Sequence, residues 1–406
     1  MVLIEIVTMA RELIQIADRT AALRPTAVNT VLSEVRTLPI DGKPVVSLMR
    51  GEPDLPTPLH IVEAAARALA EGRTGYPDNR GEPALREAVE AKLLRDNELH
   101  YDAGSEILIT PGATFGIYAA LAAMMQPGDE VLVPDPVYDA YQSPIRLTGA
   151  TPRAVTSSIV NGRFALTVDA LEAAWTPACR ALLLNTPWNP TGTVITRAEL
   201  KEIAGFCERR NLALISDEIY EAIVYDGHTH VSPASLSEDM RARTILVNSL
   251  SKTYAMTGWR VGYCAAPAYF LQKMFLVLQQ SSRGPATLVQ DAAASALAGP
   301  QDCVLGMRAE YARRRAQVQK ELADVPRCRV LAPEGGFFAM LDVRAMEVDS
   351  NTIRQRLLQE FRVVVMHGAA YGAAGEGTLR VSFASGGETL RHGLERLREG
   401  LRRIAG

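Results

Sequence analysis

The sequence lacks the features of a secreted protein, a membrane-spanning protein or a protein stabilised by a structural metal ion. Its five cysteines are an odd and scattered set without a C-x-x-C pair, which argues against a disulfide framework or a zinc site and fits a reducing cytosol. No apolar stretch reaches the roughly 18 residues of a membrane span. The first twenty residues carry Glu5, Arg11, Glu12 and Asp18 and lack a small-residue cleavage site, so secretion is not predicted. We expect a cytoplasmic protein without a membrane partner.

An excess of charge of either sign is also missing. The 43 basic and 46 acidic residues leave a net charge of -3, so no electrostatic footprint for nucleic acid is present. Neither G-x-G-x-x-G after the first strand nor G-x-x-x-x-G-K-[ST] occurs, which disfavours dinucleotide and nucleoside-triphosphate binding. With 48% apolar and 22% charged residues, the composition is that of a globular protein able to bury a core. Small-molecule chemistry is the better expectation.

Short apolar runs alternate with helical patterns from about residue 105 onward, which is typical of βαβ units and a mainly parallel sheet. About seven strands are predicted. They are residues 106–110, 130–134, 152–155, 181–185, 212–216, 244–248 and 261–265. We therefore predict an α/β fold whose large domain has a seven-stranded, mainly parallel sheet between helices.

Apolar residues at helical spacing predict helices between these strands and on both sides of the block. The predicted helices are residues 63–69, 84–94, 115–125, 197–210, 269–280 and 304–322. The last of them contains Arg313, Arg314 and Arg315, a run of charge that usually marks a solvated helix face.

The last hundred residues change to strands at 335–343, 361–366 and 379–384 separated by helices, which predicts a small α+β domain. At about 150 residues per domain the length suggests two to three domains. Gly/Pro-rich stretches place the boundaries near residues 51–58 and 299–300. The expected division is an amino-terminal segment, 1–50, that joins the small domain, a large domain, 51–299, and the small domain, 300–406.

Polar residues follow the predicted strands, where ligands of an open α/β sheet bind. Gly112 opens a turn before a helix, a suitable phosphate site. Asn189 lies in a segment stiffened by Pro187 and Pro190, and Asp217 ends a strand. Taken alone, the segment around Asn189 would be a common proline-rich turn, and Asp217 would be a helix cap.

Lys252 follows Ser249 and Ser251, with Arg260 nearby. Lysine is the amine that forms Schiff bases, and hydroxyls with a guanidinium bind phosphate. A lone Ser-x-Ser-Lys would be solvated surface in most proteins. Together with an amide, an acid and the phenol of Tyr220, however, these groups are the set that pyridoxal 5′-phosphate requires.

The sequence resembles the class I/II aminotransferases of pyridoxal-phosphate fold type I from about Leu23 to its end. The motifs occur in the family's order. They are GEPDLPTP at 51–58, GYPDNRGEPALREAV at 75–89, PGAT at 111–114, NTPWNPTG at 185–192, SDEIY at 216–220, SLSKTYAMTGWRVGY at 249–263 and LRVSF at 379–383. The resemblance implies amino-group transfer from an L-amino acid to a 2-oxo acid in two half-reactions, by a homodimer with shared active sites.

The resemblance also implies a role for each matching residue. Lys252 forms the aldimine with the cofactor and moves the proton, Asp217 pairs with the ring nitrogen, and Arg380 binds the substrate carboxylate. Asn189 and Tyr220 bind the ring's 3-oxygen and Tyr138 stacks on the ring. The phosphate ligands are Gly112, Ala113, Thr114, Ser249, Ser251 and Arg260, with Tyr76 from the partner subunit; Gly51, Asn189 and Arg283 are expected near the substrate.

Two positions depart from the family pattern. Thr114 stands where several bacterial relatives that act on aspartate carry lysine, which weakens an aspartate assignment. Arg283 stands where serine or threonine is more usual, and we hypothesise that it selects a polar or anionic side chain; a dimer-rim arginine is the alternative. His228 and His230 lack a third ligand and are interpreted as a surface turn, so no metal site is predicted.

Other functions on this fold stay open. The scaffold also supports C–S β-lyases and decarboxylases. A catalytically silent regulator is less favoured, because about twenty residues precede the family match and a helix-turn-helix module needs more. The donor, the acceptor and the true start, Met1 or Met9, are not fixed by any motif.

Overall fold

The structure is a computed structural model that describes residues 14–21, 23–39 and 44–406. The two alternative starts, Met1 and Met9, lie outside the described residues. Within the described ranges none of the helices is both long enough and apolar enough to cross a membrane.

The described residues form fifteen strands and fifteen α-helices. The strands are β1 Val46–Ser47, β2 Ile107–Thr110, β3 Glu130–Asp135, β4 Thr151–Thr156, β5 Ser158–Val160, β6 Arg163–Ala165, β7 Cys179–Asn185, β8 Ala213–Asp217, β9 Thr244–Ser249, β10 Gly262–Ala265, β11 Arg329–Leu331, β12 Phe338–Asp342, β13 Val363–Val364, β14 Met366–His367 and β15 Thr378–Ser382. The helices are α1 Asp18–Ala21, α2 Ala27–Arg36, α3 Leu59–Ala70, α4 Pro83–Asn97, α5 Ala113–Met124, α6 Gln142–Leu147, α7 Val168–Ala174, α8 Arg197–Arg210, α9 Glu238–Arg243, α10 Leu250–Thr253, α11 Ala268–Ser281, α12 Thr287–Ala298, α13 Asp302–Leu322, α14 Ser350–Phe361 and α15 Gly387–Ala405.

The large sheet has seven strands in the order β2-β10-β9-β8-β7-β3-β4. All neighbours are parallel except β10, which runs antiparallel to both β2 and β9. The predicted strand set and the mainly parallel sheet are confirmed. The strand direction of β10 was not specified by the apolar pattern.

Alternating side chains of this sheet enter two different apolar layers, because successive residues of a strand point to opposite faces. Leu183 packs with the layer that contains α5 and α11, whereas Leu182 and Leu184 pack with the layer that contains α7 and α8. Helices therefore cover both faces, which is why these strands are apolar throughout rather than alternating. The carboxyl ends of β7, β8 and β9 meet at one edge of the sheet.

A second, four-stranded antiparallel sheet has the order β11-β12-β15-β14. Helices α13 and α15 share its apolar cluster. The amino-terminal segment packs here, since β1 pairs in parallel with β13 and Val31 of α2 contacts a cluster that includes Leu358 and Met366. The α+β character of the chain's last part is confirmed, while the boundaries at residues 50/51 and 299/300 stay predictions.

The prediction of a solvated arginine face on α13 is wrong for two of its three residues. Arg313 is exposed, but Arg314 is buried and pairs with Asp54 at 2.8 Å. Arg315 is also buried and donates from Nε to the Pro333 carbonyl at 2.6 Å. A buried guanidinium is tolerated because acceptors from distant segments meet its donors.

Candidate active site

A cavity of about 340 Å³ lies at the carboxyl ends of β7, β8 and β9. Most of the predicted site residues line it, although they come from seven separate parts of the chain. They are Gly51, Ala113, Thr114, Tyr138, Asn189, Asp217, Tyr220, Ser249, Ser251, Lys252, Arg260 and Arg380. The fold thus brings together residues as far apart in the sequence as Gly51 and Arg380.

Asp217 is the last residue of β8 and is fully enclosed. Its carboxylate accepts hydrogen bonds from the Tyr141 hydroxyl and from the backbone N–H of Ile219, the latter at 3.2 Å. Burial raises the pKa of Asp217 to about 6, while these two hydrogen bonds lower it. The result is a buried acid that is ionised at neutral pH and can pair with a cationic ring nitrogen.

Lys252 lies in α10, one short turn beyond the end of β9. Its Nζ donates a hydrogen bond to the Gly51 carbonyl at 2.7 Å. Burial lowers the pKa of this amine to about 8, because low dielectric disfavours the charged form. On the order of a tenth of Lys252 is therefore a free, nucleophilic amine at neutral pH.

Two helices, α5 and α10, begin beside Lys252. Gly112 precedes α5 with φ +86, and a Cβ placed on it would come within 2.6 Å of Arg260 Nη2. At the start of α10, the Ser249 hydroxyl accepts from the Ser251 N–H at 3.0 Å. The amino-terminal end of α5, two hydroxyls and a guanidinium make this region suited to a phosphate.

Arg380 lies in β15 and is buried at the other side of the cavity. It donates from Nη1 to Asn189 Oδ1 at 3.1 Å and from Nη2 to the Met49 carbonyl at 2.7 Å. The Phe338 and Tyr371 rings hold the guanidinium between them, with centroids 4.1 and 4.7 Å from its Cζ. The Nε atom is buried without a hydrogen-bond partner. A flat, fixed guanidinium of this kind fits a carboxylate.

Two tyrosines complete the walls of the cavity. Tyr138 stands edge-on to Tyr141, with ring centroids 5.4 Å apart and planes at 88°. Tyr220 is buried against Phe337 and Phe338. Burial raises the pKa of both the Tyr138 and the Tyr220 hydroxyl, so each is a neutral hydrogen-bonding group at physiological pH.

Three predicted residues do not line this cavity. Gly112 lies next to the Arg260 guanidinium, which does line it. Tyr76 is 89% exposed, and the Arg283 guanidinium lies over the Tyr76 ring, 5.5 Å from its centroid. These two side chains are together on the outer surface of the chain, away from the cavity of the same chain.

Sequence reasoning missed several residues that shape the site. Tyr141 lies three residues after Tyr138, in a segment already singled out, and Asn185 opens the NTPWNPTG motif. Asn185 donates to the Asp217 carbonyl at 2.9 Å and accepts from the Asn189 N–H at 2.7 Å. Both could have been found from their motifs. Thr26, from the amino-terminal segment, also lines the cavity, and no motif marked it.

The interpretation of His228 and His230 as a surface turn is wrong for His230. Its ring is buried, and Nε2 lies 2.8 Å from Glu218 Oε2. Ligand atoms of Glu218, Glu221 and His230 lie within 4.8 Å of one another. Glu218 also accepts from Ser216 and Ser232, each at 2.8 Å. The loop folds inward because Glu218 is buried and needs donors.

Comparisons with known proteins agree with this geometry. The sequence model of the family described as aminotransferase class I and II matches residues 43–397. An aspartate aminotransferase of Pyrococcus abyssi is 40% identical, covering 89% of this chain and 92% of the relative. Aromatic-amino-acid aminotransferase 2 of Thermococcus litoralis is 39% identical, covering 95% and 98%. The aspartate aminotransferase structure from Rhizobium meliloti has a TM-score of 0.92 at 32% identity, covering 96% of this chain and 99% of that one.

The sheet topology and the amine and acid at adjacent strand ends define an enzyme that handles amines with a carbonyl cofactor. The chain belongs to the class I and II aminotransferases. It transfers amino groups of amino acids and uses pyridoxal 5′-phosphate, and its fold is fold type I of such enzymes. The predicted fold, reaction class and cofactor are confirmed.

The residues of the cavity fit this cofactor by their own chemistry. Asp217 is a buried carboxylate that a protonated ring nitrogen would neutralise. The unpartnered, buried Nε of Arg380 still needs an acceptor, which a substrate carboxylate would provide. The absence of a side chain at Gly112 leaves room for Arg260.

Proposed function

We propose that this chain exchanges the amino group of an L-amino acid with a 2-oxo acid through the residues that line the cavity. When bound, pyridoxal 5′-phosphate supplies an electron-withdrawing ring that carries the amino group between the two substrates. Lys252 attaches this cofactor and, once released, moves a proton to or from the substrate α-carbon. Asp217 keeps the ring nitrogen protonated. These roles follow from the two perturbed groups at the ends of neighbouring strands.

The relation between Lys252 and Asp217 carries the proposal. The amine is partly deprotonated near neutral pH, whereas the carboxylate is mostly ionised there. Both lie in one cavity, on the adjacent strands β8 and β9 and their extensions. The reaction needs two groups with different tasks. The nucleophilic amine would form the bond to the cofactor, and the buried anion would balance the positive charge on the ring nitrogen.

The remaining lining residues supply orientation. Asn189 and Tyr220 would bind the ring's 3-oxygen, and the Tyr138 ring would stack on the ring face. The proposed phosphate ligands are Gly112, Ala113, Thr114, Ser249, Ser251 and Arg260. Arg380 would bind the α-carboxylate of donor and acceptor alike, with Gly51 beside it, because both substrates carry that group.

A homodimer in the cytoplasm is part of the proposal. Tyr76 and Arg283 lie together on the surface, and Thr287 Oγ1 anchors their loop by donating to the Gly75 carbonyl at 2.9 Å. An exposed tyrosine and arginine that face away from their own cavity are available to a second copy. There Tyr76 would reach the partner's phosphate site, and Arg283 would lie near the partner's substrate.

The identity of the preferred amino acid is the feature that the site residues constrain least. Relatives are named for aspartate and for aromatic amino acids. Thr114 replaces the lysine found in several aspartate-specific relatives, and Arg283 introduces a cation. We propose that Arg283 selects a polar or anionic side chain, since a guanidinium binds carboxylates in a bidentate manner. Unchanged relative turnover of an amino-acid panel after Arg283→Ala would exclude this role.

Reductive trapping tests the assignment of Lys252. The purified protein loaded with cofactor is treated with borohydride, digested and mapped by mass spectrometry. We expect the cofactor on the peptide that contains Lys252, and none on the Lys252→Ala variant. Lys201, an exposed lysine on α8, provides the matched control as Lys201→Ala. Label on another lysine, or transamination by Lys252→Ala at near the unaltered rate, would refute the assignment.

A further inference from the structure

Glu221 is a buried carboxylate that does not line the cavity, and none of the proposed roles uses it. It follows Tyr220 in the chain, and its side chain is only 10% exposed. Its Oε1 contacts Lys92 Nζ and accepts from Asn248 Nδ2 at 2.7 Å, and its Oε2 accepts from Asn97 Nδ2 at 2.9 Å. Three donors from α4 and β9 therefore converge on this carboxylate.

Asn248 connects this carboxylate to the proposed phosphate site. Its Nδ2 is held by Glu221, so the amide is fixed with its Oδ1 toward the next residue. That Oδ1 accepts from the Ser249 N–H at 2.7 Å. Ser249 is the residue that caps α10, whose first turn carries Ser251 and Lys252. A hydrogen-bonded path thus runs from Glu221 through Asn248 to the backbone that begins this turn.

Glu221 is held in the charged form. Burial opposes ionisation, but Lys92, His230 and the hydrogen-bond donors outweigh it, so the pKa of Glu221 is lowered. A charged acceptor makes a stronger and more strictly oriented hydrogen bond to Asn248 than a neutral one would. The same carboxylate ties the loop after β8 to the end of β9, the two strand ends that carry Asp217 and Lys252.

We infer that Glu221 is a positioning residue that acts through Asn248 to orient the Ser249–Ser251 turn toward the cofactor's phosphate. Glu221 does not itself contact the cofactor. The inference rests on the proposed function in one respect, which is the assignment of Ser249 and Ser251 to the phosphate. Alternatively, Glu221 acts only as a structural ion-pair partner of Lys92, in which case it stabilises the fold without affecting phosphate binding.

Comparing two forms of the cofactor separates these roles. Apoprotein is titrated with pyridoxal 5′-phosphate and with pyridoxal, which lacks the phosphate, and binding is followed by equilibrium dialysis. For Glu221→Gln we expect about tenfold weaker binding of pyridoxal 5′-phosphate, the size of one lost charge-assisted hydrogen bond. Pyridoxal should bind as it does to the unaltered protein. Equal weakening of both ligands, or of neither, would overturn the inference.

A second variant and a control protect the test against misfolding. Asn248→Ala breaks the path without removing the Lys92–Glu221 contact, and it should weaken the same ligand selectively. The double variant should lose little more than either single one, because both changes break one path. Glu199→Gln alters an ion pair with Arg163, 2.6 Å long and remote from the cavity, and should leave both affinities unchanged.

Failure of the underlying assignment would look different. If the unaltered apoprotein bound pyridoxal and pyridoxal 5′-phosphate equally well, the phosphate site itself would be misassigned, and the inference would fall with it. A different result would exclude only the positioning role. In that case the unaltered protein would bind pyridoxal 5′-phosphate more tightly than pyridoxal, and Glu221→Gln and Asn248→Ala would show the same preference.

Discussion

The Tyr141 hydroxyl donates a hydrogen bond to the carboxylate of Asp217 in the fully buried floor of the cavity. Asp217 ends β8, and Tyr141 comes from the short turn that precedes α6. Burial favours the protonated acid, whereas this hydroxyl favours the carboxylate, and the balance leaves the pKa of Asp217 at about 6. The cavity therefore holds a buried carboxylate whose ionisation is unfavourable until a cationic ligand binds beside it.

The cost of this anion predicts a pH-dependent stability of the apoprotein. The pKa of Asp217 is 3.8 in its ordinary state and about 6 in the folded chain, so the folded state binds the proton more tightly. The associated stability is fully present below about pH 4 and is lost as the pH rises through about 6. Asp217→Asn should therefore raise the unfolding free energy of the apoprotein at about pH 8 by about 3 kcal/mol.

Urea unfolding of both apoproteins at about pH 4 and about pH 8 measures this effect. The gain should be large at the higher pH and small at the lower one, while the variant binds the cofactor more weakly. A variant that is less stable than the unaltered apoprotein at the higher pH would contradict the assignment of a buried, ionised Asp217 that destabilises the apoprotein.

The depressed pKa of Lys252 predicts the pH dependence of cofactor uptake. Burial brings this pKa from 10.5 to about 8, and only the free amine attacks a carbonyl. The rate at which apoprotein takes up pyridoxal 5′-phosphate should rise as the pH passes through about 8 and level off above it. Stopped-flow absorbance measures the rate. A rate that keeps rising up to pH values above the ordinary lysine pKa would show that the pKa of Lys252 is not lowered.

Arg380→Lys should raise KM for the amino donor and the oxo acceptor by similar factors. Lysine cannot make two parallel hydrogen bonds to a carboxylate, and the loss of a charge-assisted hydrogen bond is expected to weaken binding about tenfold or more. Steady-state kinetics with each substrate varied in turn measures both constants. Arg354→Lys is the control, because Arg354 is equally buried but pairs with Glu34 at 2.7 Å. An effect on one substrate alone would contradict a shared carboxylate site.

Gly112→Ala should weaken cofactor binding. An added Cβ would lie 2.6 Å from Arg260 Nη2 and would displace that guanidinium. Gly128→Ala is a close control, because Gly128 has φ +95 against +86 for Gly112, yet nothing lies within 4 Å of its Cβ. Both variants should lose similar stability from backbone strain. Only the first should need more cofactor to reach full occupancy, as measured by dialysis; equal affinities would show that Arg260 can move without consequence.

Much of the fold could be predicted because local pattern and tertiary structure agree. Runs such as ALLL at 181–184 are apolar at every position, which a strand covered on both faces requires. The bounds of α8, Arg197 and Arg210, were predicted from its apolar spacing, and the structure shows a capping box of Thr196 and Glu199 at its start. The lining residues were predictable for a related reason: they follow strands whose carboxyl ends must meet.

The errors concern residues whose surroundings come from far along the chain. Arg314 pairs with Asp54, 260 positions away, so its burial leaves no local trace. His230 turns inward to Glu218, a buried acid twelve positions earlier. The antiparallel direction of β10 is likewise set by its neighbours β2 and β9, not by its own apolar residues. Such long-range partners can be recognised only once the topology is known.

The outward position of Tyr76 has a genetic consequence. If Tyr76 contributes to the cavity of the other copy while Lys252 contributes to its own, each catalytic centre contains residues from both chains. A Lys252→Ala chain and a Tyr76→Ala chain, each impaired alone, would then assemble into mixed pairs in which one centre carries both defects and the other carries neither. Two impaired alleles expressed together would then complement each other.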